Sequence, residues 1–264
     1  MELATDKMIA RKDGAIGWMV FNNPARRNAV SLEMWEAIPQ ILAEYDEDPA
    51  IRVIVVTGAG EKAFVSGADI SQFEKERATP EQVRHYESVS GRAGTMLAGT
   101  AKPTIAMIRG YCIGGGLTTA MSCDLRIAAA DSRFGIPAAR LGLGYGARGV
   151  EKLVHLVGPA FAKEIFYTAR QFDAEEALQM GLVNRVVPVD ALEEFVRGYA
   201  EKIAENAPLT IRAVKTTIGE AVKDPGRRDE AAVKAAVEAC FASEDYKEGR
   251  RAFMEKRKPA FQGR

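Results

Sequence analysis

Histidine and cysteine are scarce in this chain of 264 residues, which holds two of the first and three of the second. His85 and His155 stand apart from each other, from every cysteine and from any serine elbow, so zinc hydrolysis and a serine triad are excluded as leading chemistries. Cys112, Cys123 and Cys240 are widely spaced and odd in number, and they read as small reduced residues rather than a disulfide framework. No stretch of about 18 or more apolar residues is present and the amino terminus has no signal-peptide pattern, so the expected location is the cytoplasm, without membrane insertion. Charge of one sign is also missing. With 36 basic against 36 acidic residues, nothing points to nucleic acid or an anionic membrane as partner.

What is present is a 47% hydrophobic chain in which short apolar runs alternate with helical spacing, the pattern of an α/β protein. A hairpin-like pair is expected around Met8 to Ala10 and Ile16 to Phe21. Ser31 is positioned as N-cap of a helix carrying Leu32, Trp35, Ile38, Ile41, Leu42 and Tyr45, ending before Asp48-Pro49. Thr79 with Gln82, Asp173 with Glu176 and Asp245 with Glu248 have the cap-plus-N3 spacing of helix starts. Beyond about Pro188 the apolar spacing is helical throughout, and no repeat or low-complexity segment interrupts it.

The chemistry-bearing segment is Gly110 to Ala120, where the apolar strand Lys102 to Ile108 leads into Gly114-Gly115-Gly116 and a helical pattern. Residues without Cβ let main-chain N–H groups approach a ligand closely, and the helix start aims unpaired amides at the same place. Taken alone, such a turn serves equally as a tight connection with no ligand. A second loop, Phe64 to Ile70, follows the apolar strand Val53 to Gly58. In an open parallel sheet ligands gather beyond the carboxyl ends of strands, so one N–H from each loop can grip a single oxygen. The match Gly144-Tyr145-Gly146-Ala147-Arg148-Gly149 to a dinucleotide fingerprint is rejected, because no long apolar strand opens into it.

Ser66-Gly67-Ala68-Asp69-Ile70, Asn23 to Ala29, Lys102-Pro103 through Gly114-Gly115-Gly116 to Cys123-Asp124, Phe134-Gly135-Ile136-Pro137, Leu141-Gly142-Leu143, Ala177 with Gly181-Leu182-Val183, and Phe253 to Pro259 occur in one order along the chain. In this set the sequence resembles the crotonase superfamily, the enoyl-CoA hydratase/isomerase enzymes of acyl-CoA and fatty acid metabolism. The resemblance implies a spiral of ββα turns over residues 1–188 and a helical carboxyl-terminal region, 189–264, that makes trimer contacts in a homotrimer or in a hexamer of two trimers. It implies an acyl-CoA thioester as substrate, with no cofactor beyond CoA itself and no metal. The N–H groups at Ala68 and Gly115 match the pair that holds the thioester enolate oxygen. Ala25, Arg26, Arg27, Ser66, Ala68, Asp69 and Ile70, with Phe253 and Lys256 from the tail, match positions around CoA; arginine or lysine there supplies charge for phosphates.

One departure from that pattern concerns the acid/base groups. Hydratases of the family carry glutamates where this chain has Thr118 and Ala138. A threonine hydroxyl is too weak a base to deprotonate water near neutral pH, and alanine offers nothing. Both the two-glutamate hydration and an isomerisation using the second glutamate alone are therefore unexpected. Decarboxylation of a malonyl-type thioester generates the enolate without removing a proton. The segment Leu141 to Tyr145 and the carboxyl-terminal half are similar to methylmalonyl-CoA decarboxylase, which makes Tyr145 a candidate to orient the carboxylate, although that enzyme has histidine at the Ala68 position and glutamate at Thr118. Tyr145 reads equally as a packed, hydrogen-bonded phenol. Arg148 and Ala138 are expected around the acyl group; Arg140 or Arg148 is a possible carboxylate ligand and Glu151 a relocated base, while Asp124 is expected to be structural. A CoA-thioester-binding protein with little activity is the alternative from another class.

Overall fold

The computed structural model describes residues 3–72 and 76–264, apart from the side chain of Arg148. Strands β1 (Met8–Asp13) and β2 (Ile16–Phe21) form the expected antiparallel hairpin, with Met8 opposite Phe21 and Asp13 opposite Ile16. From there the chain repeats one move. Strands β3 (Val53–Gly58), β5 (Thr104–Ile108) and β7 (Leu125–Ala129) lie side by side in a sheet of order β1-β2-β3-β5-β7-β10, closed by β10 (Arg185–Val187). Each is followed by a short strand that steps into a second sheet: β4 (Ala63–Val65), β6 (Tyr111–Ile113) and β8 (Arg133–Gly135), with β9 (Phe172–Asp173) antiparallel at its edge. Helices α1 (Leu32–Glu47), α2 (Pro80–Gly99), α3 (Gly115–Met121), α4 (Ala147–Thr168, broken at Gly158–Pro159) and α5 (Ala174–Gln179) join these steps. The result is a spiral of ββα turns, as the resemblance implies.

The step between sheets is what the sequence reading missed. Neither ligand loop follows its long strand directly, because β4 separates β3 from Ser66 and β6 separates β5 from the glycines. Segments of three residues are too short to carry a period-2 signal. The consequence is that both loops leave the carboxyl ends of adjacent parallel strands, β4 and β6, and the Ile136–Ala138 segment leaves the end of β8 beside them.

Alternate residues of the long strands go to two cores. Ile54 and Val56 face α1 and the second sheet with Phe64, Cys112 and Phe134, whereas Val53 and Val55 pack with Ile105 and Ile127 against Leu192, Val196 and Ala200 of helix α6 (Leu192–Ala204). Burial on both faces explains why these strands read as continuous apolar runs. The remaining helices are α7 (Pro208–Ala221), α8 (Glu230–Ala242) and α9 (Glu244–Glu255). They expose large apolar side chains, including Ile218, Phe241, Phe253 and Met254.

The caps follow the sequence with two corrections. Thr79 with Gln82 and Asp173 with Glu176 form complete capping boxes. Ser31 sits at the start of α1 in extended conformation, but its hydroxyl contacts Glu33 (3.2 Å) rather than a main-chain amide. The cap of α9 is Ser243, whose Oγ accepts from the Tyr246 amide (3.1 Å), and not Asp245. Asp245 is instead drawn away by the returning tail, accepting from the amides of Gln262 (2.7 Å) and Gly263 (2.8 Å). Glu248 pairs with Arg257 and Arg251. Among the described residues no helix is long and apolar enough to cross a membrane.

Candidate active site

The three glycines have three separate tasks. Gly114 holds φ at 54°, a left-handed value that costs other residues strain, and its amide donates to Gly135 O (2.8 Å) at the end of β8. Gly116 lies so close to β4 that a Cβ there would meet Val65 O at 2.1 Å. Gly115 has room: the nearest atoms to a Cβ there would be Trp35 Cζ2 at 3.6 Å, the Ala68 nitrogen at 3.9 Å and the Gly67 carbonyl carbon at 4.0 Å. The space beside the Gly115 main chain thus adjoins the Ala68 nitrogen.

Ala68 is oriented by a bridge to Val30. The Val30 amide donates to Gly67 O (2.8 Å) and the Asp69 amide to Val30 O (3.0 Å), a parallel bridge that uses the groups flanking Ala68. In such a bridge the central residue's own N–H points to the opposite side. The Ala68 and Gly115 amides donate to no acceptor among the described residues. Buried Asn28 fixes the early loop against β4: its Oδ1 accepts from the Asn23 amide (2.9 Å), and its Nδ2 donates to Ala59 O (2.9 Å) and Ala63 O (2.8 Å).

Ala68 and Gly115 both line a cavity of about 890 Å³, together with the rest of the two loops, α2, α3 and the 136–152 segment. Ser66, Ala68, Ile70, Gly115, Thr118, Ala138 and Tyr145, all singled out from the sequence, line it together. Thr118 Oγ1 and the Tyr145 hydroxyl are 2.9 Å apart, and the Tyr145 ring packs edge-on against Phe166 with centroids 4.9 Å apart. Burial pushes the Tyr145 phenol above its ordinary value, against a smaller opposite pull from Thr118. It is a neutral hydroxyl at physiological pH. The wall positions 118 and 138 are threonine and a buried alanine, so no carboxylate stands at either.

Other expected residues lie elsewhere. The Arg26 guanidinium reaches Ser71 Oγ (2.8 Å) and Asp69 (3.5 Å), and Asp69 also accepts from the Ser71 hydroxyl (2.6 Å), so this pair braces the loop that carries Ala68. Arg27 lies over the Tyr111 ring (5.0 Å to the centroid), and its carbonyl accepts from the Ser66 amide (3.1 Å). Ala25 sits in a short 3-10 turn, Pro24–Arg26, before it. Phe253 and Lys256 end α9, with Phe253 83% exposed and neither lining the cavity of its own chain. Arg140 and Glu151 are exposed and do not line the cavity. The Arg148 side chain lies outside the described residues. Asp124 is structural, accepting from the Thr104 amide (2.7 Å) and from Lys215 (2.8 Å).

Two pairs in the cavity wall had no sequence signal. Trp35 Nε1 donates to the Tyr86 hydroxyl (2.8 Å) beside Gly115, and Lys152 Nζ donates to Ser122 Oγ (2.9 Å) one turn beyond Thr118. Their partners come from distant elements, α1 with α2 and α3 with α4, so spacing alone could not unite them. The Gly144 to Gly149 match follows a 3-10 turn, Pro137–Leu141, and not a strand, which agrees with its rejection.

A ββα spiral with two loops leaving the carboxyl ends of adjacent parallel strands is a crotonase-type fold. The model of the family Enoyl-CoA hydratase/isomerase matches residues 11–264, and the chain belongs to that family. It is 37% identical over 258 residues to short-chain-enoyl-CoA hydratase of Clostridium acetobutylicum, covering 98% of this chain and 97% of the relative. It is 34% identical over 259 residues to crotonyl-CoA hydratase of Syntrophomonas wolfei, covering 98% and 99%. Among solved structures, an enoyl-CoA hydratase/carnithine racemase from Magnetospirillum magneticum superposes with a TM-score of 0.94 at 36% identity, covering 99% of this chain and 97% of that one.

Proposed function

We propose that this protein is an acyl-CoA-processing lyase, acting in the cytoplasm without a cofactor other than CoA, that stabilises a thioester enolate between the amides of Ala68 and Gly115. The observation that supports this most directly is that Ala68 and Gly115, whose amides have no acceptor among the described residues, line one cavity, and that a Cβ on Gly115 would lie 3.9 Å from the Ala68 nitrogen. Each such donor contributes about 2.7 to 4 kcal/mol to the barrier, so the pair supplies a large part of the catalysis before any side chain acts. CoA is assigned to Ala25, Arg26, Arg27, Ser66, Asp69 and Ile70. Phe253 and Lys256 reach it from a neighbouring copy in a homotrimer or hexamer assembled through residues 189–264.

The named relatives are hydratases, yet Thr118 and Ala138 carry no carboxylate. Water addition by two glutamates is thereby disfavoured. The Thr118–Tyr145 pair supports a second reading, decarboxylation of a malonyl-type thioester: the C–C bond to the carboxylate breaks, CO₂ leaves, and the electron pair enters the enolate held by the two amides. Tyr145 then orients the carboxylate. A mass-spectrometric screen of crotonyl-CoA, a longer enoyl-CoA and methylmalonyl-CoA tests both readings, with wild type and Tyr145→Phe in parallel. Little or no water addition to crotonyl-CoA is expected, and the variant loses rate on whichever thioester turns over. An efficient hydratase indifferent to Tyr145 overturns the assignment, and tight acyl-CoA binding with no product from any thioester identifies a binding protein instead.

A further inference from the structure

Among the described residues two phenols line the cavity, and the contact with Thr118 accounts for only one of them, Tyr145. The other is Tyr86 of α2. It is 5% exposed, and its hydroxyl is held by Trp35 Nε1 of α1 at 2.8 Å. The same indole borders the glycine loop, because Trp35 Cζ2 is the atom nearest to a Cβ built on Gly115. Nε1 and Cζ2 are bonded to one ring carbon. The Tyr86 hydroxyl and the Gly115 main chain therefore border neighbouring positions of a single buried ring.

The hydrogen bond between them has a direction. An indole N–H only donates, so the phenol oxygen accepts from Trp35 and keeps its own hydrogen for another partner. Among the described residues no acceptor takes that hydrogen. The Arg77 guanidinium lies 3.5 Å from the centroid of the Tyr86 ring. Burial pushes the phenol above its ordinary value, against opposite pulls from the Trp35 hydrogen bond and the Arg77 charge. It is thus a proton carrier at neutral pH, and the two groups that oppose the shift are the ones that steady a phenolate after the proton leaves. A buried Trp–Tyr pair also serves packing alone. This one stands in the wall of a cavity whose positions 118 and 138 carry no carboxylate, beside a loop assigned to an enolate that must exchange a proton.

Resting on the reading of this cavity as an enolate-forming acyl-CoA site, we infer that the Tyr86 hydroxyl is the proton donor to the α-carbon, with Trp35 as its positioning residue. In this step the Tyr86 O–H bond breaks and a C–H bond forms at the α-carbon. The electron pair of the enolate makes the new bond, and the thioester carbonyl is restored between the Ala68 and Gly115 amides. The phenolate left behind keeps the Trp35 N–H and regains a proton from solvent. On a saturated thioester the same step runs in reverse: the phenolate takes an α-hydrogen and exchanges it with solvent. A donor fixed on one wall serves one face of the enolate, so only one of two α-hydrogens exchanges.

Incubation of butyryl-CoA with the protein in D₂O tests this whichever reaction subtype holds. Wild type is expected to place a single deuterium at the α-carbon, read by mass spectrometry. Tyr86→Phe is expected to slow that exchange by about 10²-fold or more, the lower end of what a positioned acid/base group provides. Butyryl-CoA affinity and the infrared position of the bound thioester carbonyl stay as in wild type, which shows that the variant is folded and its two-amide site intact. Loss of exchange together with a carbonyl band returned to its solution value overturns the proposal, by leaving Tyr86 only the support of Trp35 against the Gly115 loop. Equal exchange in the two proteins overturns it and leaves the enolate reading standing. Butyryl-CoA that binds wild type with a shifted carbonyl band but takes up no deuterium overturns Tyr86 as donor and leaves the two-amide site standing. Failure of butyryl-CoA to bind overturns both.

Discussion

A methyl group built on Gly115 would stand 3.9 Å from the Ala68 nitrogen without touching anything closer than 3.6 Å. Those are ordinary van der Waals contacts, and Gly115 is not among the positions of positive φ. Gly115→Ala is therefore expected to fold with near-native thermal stability while losing about 10²-fold or more in turnover, because the methyl excludes the thioester oxygen from the Ala68 amide. Steady-state rates beside a melting curve check this.

The neighbouring glycine gives the opposite result. At Gly116 the added methyl would lie 2.1 Å from Val65 O, a main-chain atom that cannot yield without moving β4. Gly116→Ala is expected to lower stability by about 1 to 3 kcal/mol or more, the range of an overpacked site. Chemical denaturation of the two variants separates the roles of the adjacent glycines.

Asn28 is wholly buried and makes three hydrogen bonds that tie the 23–30 loop to the β3–β4 connection. Asn28→Ala leaves those groups unpaired in the interior, at a cost of about 1 to 3 kcal/mol for each buried group left unsatisfied. Because the same loop supplies the Val30 bridge to Ala68, activity falls alongside stability. Urea denaturation and turnover of the variant check both effects.

Several phenols are held above their ordinary value by burial, Tyr45 and Tyr145 among them. The unfolded chain loses these protons near the ordinary tyrosine pKa of about 10, while the folded protein retains them. Above that pH the unfolded state binds fewer protons, so stability is full below about pH 10 and declines as the pH rises past it. Melting temperatures between neutral pH and strongly alkaline buffer test the sign, and Tyr145→Phe should reduce the slope.

Much of this arrangement is legible in the sequence. The glycine triplet and the Ser66 to Ile70 loop announce themselves, because main-chain chemistry needs small residues in characteristic order. The β1–β2 hairpin, α1 and the Thr79 capping box follow directly from local spacing. What stayed hidden depends on the third dimension. The three-residue strands β4, β6 and β8 carry no period, yet they bring the two loops to neighbouring strand ends. Asp245 has the spacing of a cap but is taken by the tail amides of Gln262 and Gly263. The pairs Trp35–Tyr86 and Lys152–Ser122 join residues far apart in sequence. Arg26, a fitting phosphate ligand by charge alone, is engaged with Ser71 and Asp69.

The missing carboxylates invite a gain of function. Thr118 and Ala138 both line the cavity, so Thr118→Glu with Ala138→Glu is expected to introduce hydration of crotonyl-CoA, raised by about 10² or more over the parent as positioned acid/base groups provide. Detection of 3-hydroxyacyl-CoA by mass spectrometry is the readout. No increase in a folded double variant would mean that these positions do not face the reacting carbons.

The most direct test of the two-amide site is the infrared difference spectrum of a bound, unreactive acyl-CoA isotopically labelled at its thioester carbonyl. Two donors on one oxygen weaken the C=O bond, so the stretch is expected at lower frequency in the wild-type complex than in solution, returning towards the solution value in Gly115→Ala. A band unmoved by binding, or moved equally in both proteins, would contradict the assignment of the Ala68 and Gly115 amides to that oxygen.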